Sequence, residues 1–147
     1  MPATLFWECL LRIFLAALCG LVIGFERKAR LKEAGVRTHL IVALGAALIT
    51  IVSKYGFFDL ALFAEGIKAD PTRIAAQIVS GVGFLGAGMI FMRHRTLTGL
   101  TTAAGIWTTA GIGMAVGCGL YAVSLFSTAL VVLTQLMLHL SLIHISE

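Results

Sequence analysis

The feature that most constrains this chain is the absence of charge from two long stretches. Residues 74–92 and 96–146 contain no Asp, Glu, Lys or Arg. In the whole chain 59% of residues are hydrophobic and 12% are charged, whereas soluble domains are about 45–50% apolar and about 25% charged. About 20 uncharged helical residues span a bilayer core that is about 30 Å thick. The sequence therefore predicts an integral membrane protein.

Charges and glycines divide the chain into five apolar segments. The predicted fold is an all-α membrane protein, a bundle of about five transmembrane helices in a single domain covering residues 1–147. The first helix is expected to be retained and not cleaved as a signal peptide. Glu8 precedes its apolar segment, whereas a cleaved signal peptide begins with basic residues. The predicted helices are residues 4–25, 38–53, 72–92, 98–116 and 121–143.

Lysine and arginine beside the segments predict the orientation, since cytoplasmic loops carry an excess of these residues. The first and third links together contain Arg27, Lys28, Arg30, Lys32, Arg37, Arg93 and Arg95. The opposite side contains only Lys54, Lys68 and Arg73. We therefore expect the N-terminus outside and the C-terminus in the cytoplasm.

Residues 81–86 spell G-x-G-x-x-G, the pattern of a dinucleotide-binding turn. Such a turn needs a preceding strand, a helix that starts at the glycines, and an acidic residue about 20 positions later. Here the preceding residues are a helix start, and the residues about 20 positions later are Thr101 and Thr102. We therefore expect no nucleotide site and no cofactor.

Small residues on the third segment predict close helix packing instead. Ala76, Ser80, Gly83 and Ala87 recur at helical spacing, which places them on one face. In a bilayer, helices associate through close contact, and small residues permit that approach. The fourth segment has a matching face that comprises Thr98, Thr102, Gly105, Thr109 and Gly113. We expect these two helices to pack together, with candidate packing residues Ser80, Gly81, Gly83, Gly86, Gly88, Gly99, Thr101, Thr102 and Gly105.

Four polar residues are candidates for a functional cluster in the outer leaflet: Arg12, Asp70, Arg73 and Gln77. Asp70 precedes Pro71 at a helix start and can accept the free N–H groups of the first turn, a role that would account for it alone. A functional role is favoured because Arg73 and Gln77 adjoin the small-residue face, and intramembrane polar groups are costly. Arg12 lies one turn after Glu8. Both could join the cluster, or they could simply neutralise each other.

The remaining reactive residue types form no pattern of an enzyme or a metal centre. Cys9, Cys19 and Cys118 are isolated in apolar surroundings, and His139 and His144 are not at the helical i, i+4 spacing of a metal site. The basic stretch 26–37 is expected to lie at the cytoplasmic interface and to bind anionic lipid. Nucleic acid is not an expected partner, since no aromatic residues interleave with these basic ones.

Three blocks in this order resemble the membrane domain of the bacterial MgtC/SapB family. They are "IGFERKARLKEAGVRTHLIVALGAAL", "DPTRIAAQIVSGVGFLGAGMIF" and "TGLTTAAGIWTTAGIGMAVGCGLY". The resemblance implies a multi-pass protein of the bacterial inner membrane, associated with growth under magnesium limitation and, in pathogens, with survival in phagocytes. It implies no enzymatic activity. Family importance carries over to Asp70, Arg73, Gln77, the glycines at 81, 83, 86 and 88, and residues 99–102.

One departure from the family favours its shorter, SapB-like form: longer members have a soluble C-terminal domain, which we do not expect here. A second departure is the end "HLSLIHISE", which lacks the usual basic residues of a cytoplasmic terminus and is interpreted as a truncated or artefactual tail. The leading hypothesis is a non-enzymatic protein that supports or regulates another membrane system under ionic stress. Its expected partners are membrane lipids, a second membrane protein or further copies of itself. The alternative is a small transporter or channel for an ion or polar solute, with the four candidate polar residues lining the path.

Overall fold

The computed structural model describes residues 2–57, 70–93 and 96–145. Five helices account for most of them: α1 (Ala3–Ala29), α2 (Val36–Tyr55), α3 (Pro71–Ala87), α4 (Leu100–Cys118) and α5 (Tyr121–Ile145). The prediction of an all-helical fold with five helices is confirmed apart from one short hairpin. Of the described helices, α1 and α2 are each long and apolar enough to cross a membrane. Lys68, Arg95 and most of the second link, which entered the prediction of orientation, lie outside the described residues.

The third helix ends earlier than predicted, at Ala87 instead of residue 92. The chain then forms an antiparallel hairpin of β1 (Phe91–Arg93) and β2 (Thr96–Thr98), in which Phe91 pairs with Thr98. The Thr98 hydroxyl also donates to the Phe91 carbonyl over 3.1 Å. Because residues 88–92, which follow the end of α3, are all apolar or glycine, hydropathy alone gives no signal for the change from helix to strand.

Gly99 connects the hairpin to α4. Its φ of 86° lies in the left-handed region, and a Cβ here would be 1.9 Å from the carbonyl oxygen of Met89. Only glycine combines that backbone conformation with that approach. The sequence predicts Gly99 as a helix-packing residue, whereas the structure places it in the turn where α4 begins.

Helix α2 is the centre of the bundle, because α1, α3 and α4 all pack against it. One buried cluster joins α1, α2 and α4: Ala16, Cys19, Ile23, Ala47, Ile112 and Val116. A second joins the first loop to α2, α3 and α4: Ala34, Ala46, Ile78, Val82, Ile106 and Ala110. The prevalence of alanine in both clusters lets the helix backbones approach closely.

Four glycines bring α1 and α4 directly against the backbone of α2. A Cβ on Gly20 would lie 2.4 Å from the carbonyl oxygen of His39, and a Cβ on Gly113 would lie 2.3 Å from that of Ala43. A Cβ on Gly24 would lie 2.5 Å from the Cα of Val36, and a Cβ on Gly117 would lie 2.9 Å from the carbonyl oxygen of Ala47. Small residues therefore permit close helix packing, as expected. The close glycine contacts, however, pack α1 and α4 against α2 and not α3 against α4.

Helices α3 and α4 are in contact, but through a different face of α3 than expected. Ile78 and Val82 are buried at this interface, and Gly86 lies over Ala103, whose Cβ is 3.6 Å from the position of a Gly86 Cβ. Ser80 and Gly83 are exposed, and a Cβ on Gly83 would meet nothing within 4 Å. The larger side chains gain more from burial than the small stripe does. Of the other predicted packing residues, Thr102 and Gly105 are buried, and Gly81, Gly88 and Thr101 are exposed.

Candidate functional site

Arg12 forms the centre of a polar cluster at one end of the bundle. The side chain lies on α1 and is buried, with 5% of the residue exposed. Its Nε donates to the Tyr121 hydroxyl over 3.2 Å, and its Nη1 donates to the Tyr55 hydroxyl and to the Gly117 carbonyl, each over 3.0 Å. Its Nη2 forms an ion pair with the carboxylate of Glu8, one turn earlier on α1. The guanidinium therefore connects α1, α2, α4 and α5.

A second cation lies beside the same cluster. Lys54 Nζ is 5.3 Å from the centre of the Tyr55 ring, and the Arg12 guanidinium carbon is 5.6 Å from it. Both separations are within the range of cation–π attraction. Lys54 also donates to the Cys118 carbonyl over 3.2 Å, so the last carbonyls of α4 accept hydrogen bonds from two cations.

The turn between α4 and α5 places Tyr121 in this cluster. Gly119 has a φ of 89°, and a Cβ there would be 3.1 Å from Arg12 Nη2. A residue with a side chain would be strained at this φ and would press on the guanidinium. Gly119 therefore allows α5 to begin two residues later with Tyr121 directed at Arg12 and its hydroxyl donating to Glu8 over 3.5 Å.

The other three candidate polar residues lie on α3 or at its start. Asp70 accepts hydrogen bonds from the backbone N–H and the hydroxyl of Thr72, over 2.9 and 2.6 Å, which confirms the predicted helix cap. The Thr72 hydroxyl also lowers the pKa of the Asp70 carboxyl. Asp70, Arg73 and Gln77 are all exposed. Gln77 borders an apolar cavity of about 370 Å³ between α2 and α3.

The structure therefore brings Arg12 together with Glu8 but does not show the predicted four-residue cluster. None of the ion pairs among the described side chains includes Asp70 or Arg73. A role for these two residues in function stays a prediction. Tyr55 and Tyr121 were missed, although a signal existed: the chain has only 2 tyrosines, and both lie at helix ends on the side predicted for Arg12.

A second charged cluster lies near the other end of α1. Glu26 is 9% exposed and Arg27 is 3% exposed. The Glu26 carboxylate accepts from Arg27 Nε over 2.9 Å and from Arg30 Nε over 3.0 Å. The sequence places these residues in an interfacial stretch, whereas α1 continues to Ala29 and buries two of them against the bundle. Buried charges in a membrane bundle are costly and are therefore candidates for function.

Glu33 connects the first loop to α4. Its carboxylate accepts a hydrogen bond from the Thr102 hydroxyl over 3.0 Å, although the carboxylate is otherwise largely exposed. Hydrogen bonds from its own backbone N–H and from Thr102 lower the pKa of Glu33 below its ordinary value of 4.5. Because the folded-state pKa is depressed, this contact stabilises the fold fully above pH 4.5 and is lost as pH falls through the lowered pKa.

We expect Glu33→Gln to lower the melting temperature at pH 7 and to have progressively less effect below pH 4.5. The measurement is thermal unfolding in mild detergent at a series of pH values. Thr102→Val should change the pH profile in the same way, and Thr101→Val, at the exposed neighbouring position, should not. Equal pH profiles for the wild type and Glu33→Gln would refute a role for this contact.

The sequence profile of the MgtC family matches residues 13–141. The chain belongs to the MgtC family. This match covers all five helices except the two ends, and it includes Tyr55, Gly117 and Tyr121 of the Arg12 cluster. Arg12 itself and Glu8 lie just before the matched region.

Curated relatives from several bacteria support the assignment to the MgtC family. The chain is 48% identical to YhiD of Escherichia coli K12 over 132 residues, which is 90% of this chain and 61% of YhiD. It is 40% identical to SapB of Bacillus subtilis over 98 residues, 66% of this chain and 42% of SapB. It is 48% identical to MgtC of Brucella abortus over 89 residues, 60% of this chain and 34% of that protein.

The chain therefore spans about three-fifths or less of the length of these MgtC-family relatives. No solved structure matches it. The predicted resemblance to the MgtC/SapB family is confirmed.

Proposed function

We propose that this chain is the membrane-embedded, non-enzymatic part of an MgtC-family protein that supports another membrane system when magnesium is scarce. The connection to magnesium comes from the family resemblance and from the name of the Escherichia coli relative, "Putative magnesium transporter YhiD". This chain would act through its lipid-facing helix surfaces. These surfaces would contact either a second membrane protein or further copies of this chain.

Large apolar side chains on the outside of the bundle support a position within the bacterial inner membrane. Phe84 on α3 is 80% exposed, Phe126 on α5 is 70% exposed and Trp7 on α1 is 67% exposed. Exposed apolar surface on several helices fits contact with lipid. In this proposal all five helices cross the membrane, with the N-terminus outside. Reporter fusions at Glu33 should then give cytoplasmic signals.

The ion pairs of the acidic side chains support the proposal that the bundle does not itself conduct magnesium. Two acidic residues lie within the described helices, and both are paired with arginine: Glu8 with Arg12, and Glu26 with Arg27 and Arg30. Mg²⁺ binds through carboxylates and retained water. Carboxylates that already hold guanidinium groups are poor ligands for a passing divalent cation.

The deciding experiment combines growth with transport. Expression of this chain should restore growth in low magnesium to a bacterium that lacks its own MgtC-family protein, and a membrane protein should co-purify with it in mild detergent at a fixed ratio. Purified chain in liposomes that enclose a magnesium-sensitive dye should give no more Mg²⁺ entry than empty liposomes do. Rapid entry of Mg²⁺ would instead establish that this chain is a transporter. Restored growth with neither a co-purifying protein nor Mg²⁺ entry would also contradict the proposal.

The transporter is the second candidate because several polar atoms inside the bundle lack partners. Among the described side chains, Arg27 Nη1, His39 Nε2 and Gln135 Oε1 are buried without a hydrogen-bond partner. Such groups favour a polar solute or water inside the bundle.

A further inference from the structure

An open groove lies between the end of α1 and α5. Its volume is about 540 Å³, which is within the usual range for binding sites of small molecules. The charged residues that line it are Glu26 and Arg30, and the apolar ones are Ala29, Leu31, Val132 and Leu136. The groove therefore offers both charged and apolar contacts to an occupant.

Leu31, which lines this groove, has a backbone conformation that is unfavourable for leucine. Its φ of 53° lies in the left-handed region, where glycine is the usual residue after a helix. Two hydrogen bonds fix this turn. The Leu31 N–H donates to the Lys28 carbonyl over 3.0 Å, and the Lys32 N–H donates to the Arg27 carbonyl over 3.1 Å. Glycine would form the same turn without strain, so the turn itself gives no reason for a leucine.

The side chain of Leu31 does not offset this strain by packing inside the protein. Leu31 is 94% exposed, and an apolar side chain gains free energy only when it leaves water. On α5, Leu133 and Met137 each follow a residue that lines the groove, and they are 54% and 69% exposed. Exposed apolar side chains at the groove and beside it on α5 fit contact with lipid tails.

The charged residues of the groove have hydrogen-bond donors to spare. The Glu26 carboxylate accepts from Arg27 through one oxygen and from Arg30 through the other. Two guanidinium groups face one carboxylate, which leaves one positive charge in excess. The Arg30 side chain is 18% exposed, and neither of its Nη atoms donates to another residue in the described part of the chain. A guanidinium with free Nη donors suits a phosphate group, which accepts two parallel hydrogen bonds.

We propose that this groove binds one anionic phospholipid, with its phosphate at Arg30 and an acyl chain against Leu31, Val132 and Leu136. The acyl chain would cover the Leu31 side chain and so offset the strain of its backbone. The exposed Lys32 adds positive charge beside the groove, which favours an anionic headgroup. A soluble phosphate compound would leave the apolar lining uncovered. The site does not depend on the proposed function, because it needs only a bilayer around the bundle.

Native mass spectrometry of the purified chain in mild detergent tests the site, with phosphatidylglycerol as the probe. One phosphatidylglycerol should remain bound to each chain. Glycerol phosphate has a phosphate but no acyl chains, and at the same concentration it should not displace the lipid. Displacement by glycerol phosphate would overturn the lipid in favour of a soluble ligand. A dimer without lipid would overturn it in favour of a second copy of the chain.

Arg30→Gln tests the phosphate contact, and Lys32→Gln is the matched control for charge. Arg30→Gln should weaken phosphatidylglycerol binding by at least about tenfold, since hydrogen bonds to charged groups are lost, while Arg27 still pairs with Glu26. Lys32→Gln removes the same charge from an exposed side chain that is not among the groove residues, and it should weaken binding only about twofold. Equal losses for the two variants would show general attraction to anionic lipid and would overturn the groove as a site.

Leu31→Gly separates the contact with lipid from the stability of the fold. Glycine is favoured at this φ, so the melting temperature in detergent without added lipid should not fall. Affinity for phosphatidylglycerol should nevertheless fall about fivefold, the effect of losing part of the burial of a leucine side chain. A lower melting temperature would show that Leu31 packs within the protein. Unchanged affinity would show that the acyl chain lies elsewhere, and either result contradicts the proposal.

Discussion

Gly113→Ala should destabilise the bundle by about 3 kcal/mol, the upper part of the range for overpacked interiors. The added methyl would lie 2.3 Å from the carbonyl oxygen of Ala43 and 3.0 Å from its Cα. Both are backbone atoms of α2, so no side-chain rotation can relieve the clash. The two helices would have to separate, and the contacts around Ile112 and Val116 would loosen with them.

The control for this prediction is Gly111→Ala, two residues earlier on α4. No heavy atom lies within 4 Å of the Cβ position there, so the helix should gain about 0.5–1 kcal/mol from the loss of a glycine. Free energies of unfolding in mild detergent would be compared for the two variants. If both variants gain stability, the close contact between α2 and α4 is refuted.

Arg12→Met should destabilise the bundle by about 3 kcal/mol, the lower end of the cost of removing one partner from a buried ion pair. The lower end applies because the Glu8 side chain is 44% exposed and can recover some hydration. Methionine keeps the apolar length of arginine but leaves the Tyr55 hydroxyl and the Gly117 carbonyl without their donor. Unfolding in detergent measures the loss.

Two companion variants separate the buried cluster from a general effect of charge. Lys54→Met removes an exposed cation at the same end of the bundle and should cost less than 1 kcal/mol. Adding Glu8→Gln to Arg12→Met should recover part of the stability, because the carboxylate no longer lacks its partner. A loss for Arg12→Met no larger than that for Lys54→Met would show that the cluster does not hold the helices together.

The five helices among the described residues were predictable from the sequence, whereas their arrangement was only partly so. Long uncharged stretches indicate helices by length alone, and Asp70 with Pro71 indicates where α3 begins. The pairing of helices depends on which of several small-residue faces is used. Gly83 and Gly113 occur in similar sequence surroundings, yet the first meets open space and the second meets the backbone of α2.

The candidate site was also predictable only where its contacts are local in the sequence. Local spacing predicts the pairing of Glu8 with Arg12, because residues four apart share a helix face. Tyr121 is 109 positions away from Arg12 in the chain, and no local pattern connects them. His39 is in the same situation: it is 70 positions from Thr109 in the chain, and their contact exists only because α4 packs on α2.

The exposed apolar side chains of α1 extend past its first charged cluster. They run from Phe6 to Phe25, a rise of roughly 29 Å along the helix axis. The hydrocarbon core of an average bilayer is about 30 Å thick. In such a bilayer the outer side of α1 would match the length of the lipid tails, and the buried guanidinium of Arg12 would lie below the headgroups on the side of α1 that faces the bundle.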